Sequence, residues 1–151
     1  MNDLERLLAM EDIQQVKAKY FYGFDTKNWA IWRDEVWAPD AQLHVPELRE
    51  EPFAPRDEIL EFGVGATQDL VSVHHGHNPI IEFVSDWEAR VIWSFEDRLY
   101  RTKERPLKNG HTYLHGLGHY HETYIKLDQG WRLQSCRITR MRVETRMLPE
   151  A

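Results

Sequence analysis

The stretch Val73-His74-His75-Gly76-His77-Asn78-Pro79-Ile80-Ile81-Glu82-Phe83-Val84 holds three histidines followed by an apolar run. From Val71 onward apolar and polar residues alternate, which is the pattern of strands that bury one face. The alternation predicts four long strands, over 71–84, 88–101, 111–127 and 131–144, with tight turns at 85–87 and 128–130. The histidines therefore lie at the start of an antiparallel meander.

The N-terminal half instead shows the spacing of three and four residues that is typical of helices. The predicted helices are a short one after Asp3, an amphipathic one with Ile13, Val16, Tyr20 and Phe24 on one face, a short one over 29–37, and one that starts at Pro55. A brief strand is predicted over 41–45. Helices followed by strands indicate an α+β fold, in which a strongly curved, mostly antiparallel sheet wraps the N-terminal helices and leaves a cone-shaped cavity. The length predicts a single domain over 1–151.

The composition narrows the possible partners. Six Trp, six Tyr and six Phe residues are present, and aromatic side chains suit the walls of a ligand cavity. A formal charge of −6 and a pI near 5.7 argue against binding to nucleic acid or to an anionic membrane, because both favour a basic patch. The N-terminus lacks the apolar segment of a secretory signal, and no apolar run reaches the length of a transmembrane helix, so a soluble, cytoplasmic protein is expected.

A histidine and an aspartate are the strongest candidates for chemistry. Histidine is the side chain whose ordinary pKa lies nearest neutrality, and a carboxylate can hold it in one tautomer. On a regular strand His75 and His77 share one face while His74 takes the other. Asp25, at the end of Tyr20-Phe21-Tyr22-Gly23-Phe24-Asp25, is the best upstream carboxylate. We therefore expect Asp25 and one of the histidines to meet inside an aromatic pocket.

Tyr20 presents a geometric difficulty for this hypothesis. It lies five residues before Asp25, which is about 140° around an ideal helix. Both residues can face one cavity only if the helix frays or the cavity wraps its end.

Other types of site fit the sequence less well. Two His-x-His pairs, His75 with His77 and His119 with His121, could ligate a divalent metal as in the cupin barrels, but the glycines of the cupin pattern are replaced here. Cys136 is the only cysteine, so neither an intrachain disulfide nor a cysteine-based zinc site can form. It has no base beside it in sequence, and the serines lack the glycine context of a nucleophile elbow. The basic run 137–142 and the pair Glu96-Asp97 are expected on solvated strand faces.

Several segments together resemble a known family. Leu4 to Ala30 is similar to the start of SnoaL-like proteins of the NTF2-like superfamily, and Val73 to Asn78 resembles the histidine segment of their dehydratase and dehydrohalogenase branch. That branch includes scytalone dehydratase, hexachlorocyclohexane dehydrochlorinase and bile acid 7α-dehydratase. The segment Gly118 to Tyr124, then Asp128 to Leu133, is similar to the penultimate strand, turn and last strand of the family. The resemblance covers nearly the whole chain.

The resemblance implies a function and a set of roles. It implies a cone-shaped α+β barrel, a homo-oligomer (dimer or trimer), and a lyase without a cofactor or metal. Asp25 matches the aspartate of the family's catalytic dyad, His74 its histidine base, and Tyr20 a tyrosine that donates a hydrogen bond to a substrate oxygen. The aromatic walls expected around a small hydrophobic cyclic or aromatic substrate are Phe24, Trp32, Trp93 and Tyr120. Two features depart from the family pattern: the additional histidines His75 and His77, and the charged loop 103–110.

The same fold permits other functions. A ketosteroid-isomerase-like isomerase and a polyketide cyclase use related pockets, and a non-catalytic binding module of the NTF2-like type is the alternative from another class. A buried contact between Asp25 and His74 favours the enzyme, whereas a solvent-facing Asp25 favours the module.

Overall fold

A computed structural model describes residues 1–149 and confirms the α+β order. The elements are α1 (Asp3–Asp25), α2 (Trp29–Ile31), a π-helical turn (Trp32–Val36), β1 (Trp37–His44), α3 (Arg56–Ala66), β2 (Leu70–Phe83), β3 (Glu88–Arg101), β4 (Tyr113–Leu127) and β5 (Gly130–Arg146). The four long strands lie within two residues of their predicted bounds. Glu150 and Ala151, at the end of the predicted domain 1–151, lie outside the described residues.

The prediction of two N-terminal helices is wrong, since α1 is continuous. Its N-cap is Asn2, not Asp3: the Glu5 backbone N–H donates to the Asn2 side chain at 2.9 Å, and the Asn2 backbone N–H donates to the Glu5 carboxylate at 2.8 Å. This reciprocal capping box satisfies two donors that the helix leaves free. The buried face of α1, which includes Ile13, Val16 and Tyr20, packs into the sheet.

The five strands form one sheet in the order β1-β5-β4-β3-β2. Consecutive long strands pair antiparallel, while β1 runs parallel to β5 with Leu43 opposite Cys136. The sheet is therefore mixed and open, with β1 and β2 at its edges. The first strand also begins at Trp37 rather than at 41. The sequence predicts Trp37 as the last residue of a helix, but Trp37 and Ala38 both belong to β1 and are buried in the core.

The inner face of the sheet and the helices share one aromatic core. Along β3 alternate residues are buried, from Ala89 and Val91 to Trp93 and Phe95. Tyr120 and Tyr124 of β4 continue this layer. Within residues 1–149 no helix is both long enough and apolar enough to cross a membrane.

Candidate active site

Asp25 and His74 meet where the end of α1 packs on β2. The two side chains lie within hydrogen-bonding distance, 2.6 Å from His74 Nδ1 to Asp25 Oδ1. Two further donors reach the carboxylate: the Ser72 hydroxyl at 2.8 Å and the His74 backbone N–H at 2.9 Å. An ionised carboxylate can only accept hydrogen bonds, so with an ionised Asp25 this arrangement favours the tautomer of His74 that carries its proton on Nδ1.

Local structure fixes this contact. Lys27, directly after α1, has a positive φ of 58°, and its ammonium donates to the Leu70 carbonyl at the start of β2 at 2.8 Å. Two aromatic rings of α1 enclose the imidazole of His74. Phe21 is parallel to it with ring centroids 6.4 Å apart, and Phe24 meets it edge-on at 5.2 Å. These contacts thus fix the end of α1 relative to the histidine segment of β2.

His74 opens onto a cavity of about 590 Å³. The side chain of His74 is only 11% exposed. The cavity walls are mainly apolar and include Tyr20, Phe24, Leu43, Val45, Phe62, Leu70, Leu99, Leu114, Tyr120 and Ile138. Asp25 lies behind His74 and is not among the lining residues. The angular difficulty between Tyr20 and Asp25 is therefore resolved, because only Tyr20 faces the cavity directly.

A buried ion pair lies on the other side of His74. Asp97 is 2% exposed, and its Oδ2 lies 3.9 Å from His74 Nε2. Arg140 donates to both oxygens of Asp97, at 2.7 Å and 2.5 Å, and its Nε lies 3.2 Å from a Glu47 oxygen. Burial alone would lower the pKa of Arg140, but the hydrogen bonds and charge of Asp97, with the charge of Glu47, outweigh burial and raise that pKa. The cavity wall beside His74 is therefore charged, but its charges are paired with one another.

The expectation that Asp97 and Arg140 lie on solvated strand faces is wrong. Asp97 follows Val91, Trp93 and Phe95 at steps of two, so it shares their inward face. Arg140 likewise continues the face of Cys136 and Ile138. A charge at an inward position of an apolar alternation is the signal that could have identified both residues from the sequence.

The sequence model of the SnoaL-like domain family matches residues 5–137, which is most of the chain. The chain belongs to the SnoaL-like domain family.

Solved structures share the fold of this SnoaL-like domain. A hexachlorocyclohexane dehydrochlorinase (LinA type 2) superposes with a TM-score of 0.83 at 16% identity, over 98% of each chain. A scytalone dehydratase-like protein from Novosphingobium aromaticivorans has a TM-score of 0.81 at 22% identity, over 100% of this chain and 99% of its own. An NTF2-like superfamily protein from Salmonella enterica has a TM-score of 0.73 at 15% identity, over 89% and 92%. At such identities the likeness establishes the fold, which is the NTF2-like cone.

Two of the four predicted aromatic wall residues do line the cavity of the SnoaL-like domain, namely Phe24 and Tyr120. Trp32 and Trp93 do not lie among the described lining residues. Trp32 is 0% exposed and packs against Tyr20 and Phe24, and Trp93 is buried in the sheet layer. Both are core residues, because the rings in front of them form the cavity surface.

Tyr20 and Tyr120 keep their protons at neutral pH. Burial raises the pKa of each phenol well above its ordinary value, and neighbouring acidic groups raise it further. Each phenol therefore retains an O–H group that can donate a hydrogen bond. Burial also raises the pKa of the Cys136 thiol, which removes it as a nucleophile.

Four histidines of β2 and β4 in the SnoaL-like domain lie on the outer face of the sheet: His75, His77, His119 and His121. His77 and His119 both pair with Ser94, from opposite sides. Among the described residues, no group of three ligand atoms within 4.8 Å of one another joins the β2 and β4 pairs. A site made by all four histidines is therefore not found within residues 1–149.

Proposed function

We propose that this SnoaL-like domain is a cofactor-independent lyase, of the dehydratase or dehydrohalogenase type, that acts on a small hydrophobic cyclic substrate. The observation that carries the proposal is the 2.6 Å contact between Asp25 and His74 at the wall of a mainly apolar cavity. A cavity of about 590 Å³ lies within the usual range for small-molecule sites. Structural neighbours that are named dehydrochlorinase and dehydratase-like add support.

In the proposed reaction His74 is the general base. Asp25 accepts a hydrogen bond from the Nδ1–H group and stabilises the imidazolium that forms. Nε2 removes a proton from a substrate carbon that is acidified by a neighbouring group. The C–H electron pair becomes the new double bond, and hydroxide or halide leaves the adjacent carbon with its bonding electrons. The proton on Nε2 then passes to the leaving group or to water. General base catalysis of this kind contributes about 10²–10⁴-fold.

The polar wall groups would act on the charge that develops. Tyr20, a protonated donor in the wall, would hydrogen-bond a substrate oxygen. Arg140, which is paired with Asp97, lines the same cavity. Donors fixed in a site that excludes water stabilise developing charge more than they would in water. The paired Asp97 and Arg140 thus belong to the proposed site, beside the residues identified from sequence.

The proposal also covers the setting in which the protein works. We propose a homo-oligomer, dimer or trimer, on the strength of the family resemblance, and a cytoplasmic location, which is the expectation from the sequence. Sedimentation equilibrium of the purified chain tests the oligomer: a mass of two or three chains agrees with it, and a mass of one chain contradicts it.

The experiment that tests the function uses cyclic ketones and cyclohexanes that carry a hydroxyl or halide next to an acidic C–H. Products are identified by mass spectrometry for the wild type, His74→Ala and His121→Ala. His121 lies on the opposite face of the sheet, so His121→Ala is the matched control. We expect loss of water or hydrogen halide, reduced about 10²–10⁴-fold in His74→Ala alone. Equal turnover in His74→Ala would contradict the assigned base. An isomer of unchanged mass would instead indicate an isomerase, and binding without turnover a non-catalytic module.

A further inference from the structure

The outer face of the sheet carries a second cluster of chemistry-bearing side chains, away from the cavity. His75 and His77 project outward from the edge strand β2, two residues apart, with ring centroids 5.9 Å from each other. Glu96 faces them from β3, because it is the direct pairing partner of His75. One ligand atom from each of the three side chains lies within 4.8 Å of the other two.

We propose that His75, His77 and Glu96 form a binding site for a divalent transition-metal ion of the Zn²⁺ class. This site is separate from the cavity and does not depend on the proposed lyase function. It differs from the cupin-like hypothesis because its third ligand is a carboxylate on the neighbouring strand and not a histidine two strands away.

The donor set fits this class of ion. Two imidazole nitrogens and one carboxylate oxygen form a ligand set that zinc uses when it keeps an open position for water. Imidazole favours Zn²⁺, Ni²⁺ and Cu²⁺ over Mg²⁺ and Ca²⁺. Ligand atoms around zinc lie about 2.0–2.2 Å from the ion, so the three groups need to converge slightly. The exposed His75 and His77 can do so by small rotations.

The neighbours of Glu96 orient its carboxylate. His115 Nε2 lies 3.1 Å from Oε2, which leaves Oε1 facing His75 Nδ1 at 3.5 Å. Arg98 lies 3.7 Å from the same Oε1 and would have to yield to an ion. Outer-shell partners of this kind fix the orientation of a ligating group, and their loss typically lowers metal affinity.

The chain provides its own control pair on the same face. His119 and His121 are also two residues apart, with ring centroids 6.2 Å from each other and the same interplanar angle of 53° as His75 and His77. Among the described residues the only detected three-ligand group is the one with Glu96. The His119–His121 pair therefore has the spacing without the carboxylate.

Metal binding would join the edge strand β2 to β3 directly behind His74. Because an ion that binds only the folded chain stabilises it, the melting temperature should rise on addition of Zn²⁺. This readout needs no substrate.

The test uses the full chain, without a polyhistidine tag, stripped with EDTA and titrated with zinc chloride by isothermal titration calorimetry. We expect one Zn²⁺ per chain, weakened at least about tenfold in His77→Ala and in Glu96→Gln. The melting temperature should rise with zinc in the wild type and in the double control His119→Ala/His121→Ala, but not in the two site variants. Circular dichroism confirms that each variant is folded, and either site variant suffices. Absence of saturable binding in the wild type would overturn the proposal. So would undiminished binding in a folded site variant, or an equal loss in the control.

Discussion

At the scale of single residues, Gly116 lies opposite Asp97 across the β3–β4 ladder. A Cβ at this position would overlap with both side chains of the Arg140–Asp97 pair. The absence of a side chain at Gly116 therefore makes room for this ion pair in the cavity wall. This is a packing requirement, and it needs no unusual backbone conformation.

Gly116→Ala should therefore lower the free energy of unfolding by about 1–3 kcal/mol, the usual cost of overpacking. Urea denaturation measures the change. Gly65→Ala is the control, since a Cβ there meets nothing within 4 Å and alanine in a helix is favoured over glycine by about 0.5–1 kcal/mol. Equal stability of Gly116→Ala and wild type would show that the pair does not need this space.

A second buried pair, Lys17 and Glu122, ties α1 to β4. The ammonium lies 2.5 Å from Glu122 Oε1 with both side chains at most 1% exposed, and 3.5 Å from the ring centroid of Tyr120. Tyr124 donates to the other carboxylate oxygen at 2.6 Å. Among the described residues, Lys17 and Glu122 are thus paired with each other, and each also has an aromatic partner.

Lys17→Met should cost about 3–5 kcal/mol of unfolding free energy, because it leaves the Glu122 charge buried without a partner. The double variant Lys17→Met/Glu122→Gln should recover part of this loss, since the amide oxygen still accepts from Tyr124 and no unpaired charge remains. Urea denaturation of both variants measures the coupling. A loss below about 1 kcal/mol in Lys17→Met, the size of a surface pair, would contradict the account.

At the scale of elements, the loop between β3 and β4 covers one side of the cavity. Pro106, Leu107, Lys108 and Asn109 line it. Arg105 anchors the loop to the segment before β2, through Asp69 at 3.2 Å and a hydrogen bond to the Gln68 side chain. Asn109 anchors it to Thr145 of β5 at 2.9 Å. The charged loop that departs from the family pattern is thus part of the cavity wall.

Arg105→Ala should loosen this loop while the core stays intact. Amide hydrogen exchange in 103–110 should become faster, and the unfolding free energy should fall by no more than about 1 kcal/mol, because the Arg105 ion pair is exposed. Hydrogen exchange with mass spectrometry measures the exchange rates of both the loop 103–110 and the core. Arg142→Ala, which removes an exposed pair within β5, is the control and should leave the exchange of 103–110 unchanged. Unchanged exchange in Arg105→Ala would mean that the anchor does not hold the loop.

The elements differ in how far the sequence predicts them. The strands β2 to β5 follow from their alternation, since each buries one face. The division of α1 into two was wrong because the exposed Leu4, Leu7 and Leu8 suggested a separate apolar face. The parallel pairing of β1 with β5 could not be predicted, since it joins segments that are distant in sequence and leaves no local pattern.

At the scale of the whole molecule, buried phenols and a thiol make the fold sensitive to high pH. Burial raises the pKa of Tyr20, Tyr120, Tyr124 and Cys136 well above their ordinary values. Such groups bind protons more tightly in the folded than in the unfolded chain. Their contribution to stability is full below the unfolded pKa and is lost as pH rises above it.

Stability should therefore fall as pH rises beyond about 9–10, the range of unperturbed thiols and phenols. The tyrosinate absorbance of the buried phenols should appear together with the loss of circular dichroism, since these phenols ionise when the chain unfolds. An alkaline titration followed by both signals measures this. Full ionisation of all six tyrosines while the circular dichroism stays native would contradict the burial of these three.

The assembled site was predictable only in part, for a physical reason. Asp25, His74 and Tyr20 were identified from motif and resemblance, and the fold brings the first two into contact. The depth of a side chain in an aromatic core depends on which ring lies in front, so Trp32 and Trp93 could not be separated from Phe24 and Tyr120 by sequence. The shape of the cavity is a property of the whole fold.

The proposed reaction requires that Asp25 hold His74 as a base with its free nitrogen toward the cavity. Long-range ¹⁵N NMR of the His74 ring, at a pH where the imidazole is neutral, tests it without a substrate. The account predicts a proton on Nδ1 in the wild type and a shift toward the Nε2–H tautomer in Asp25→Asn, as expected when a carboxylate that fixes a tautomer is lost. A wild-type ring protonated at Nε2 would contradict it.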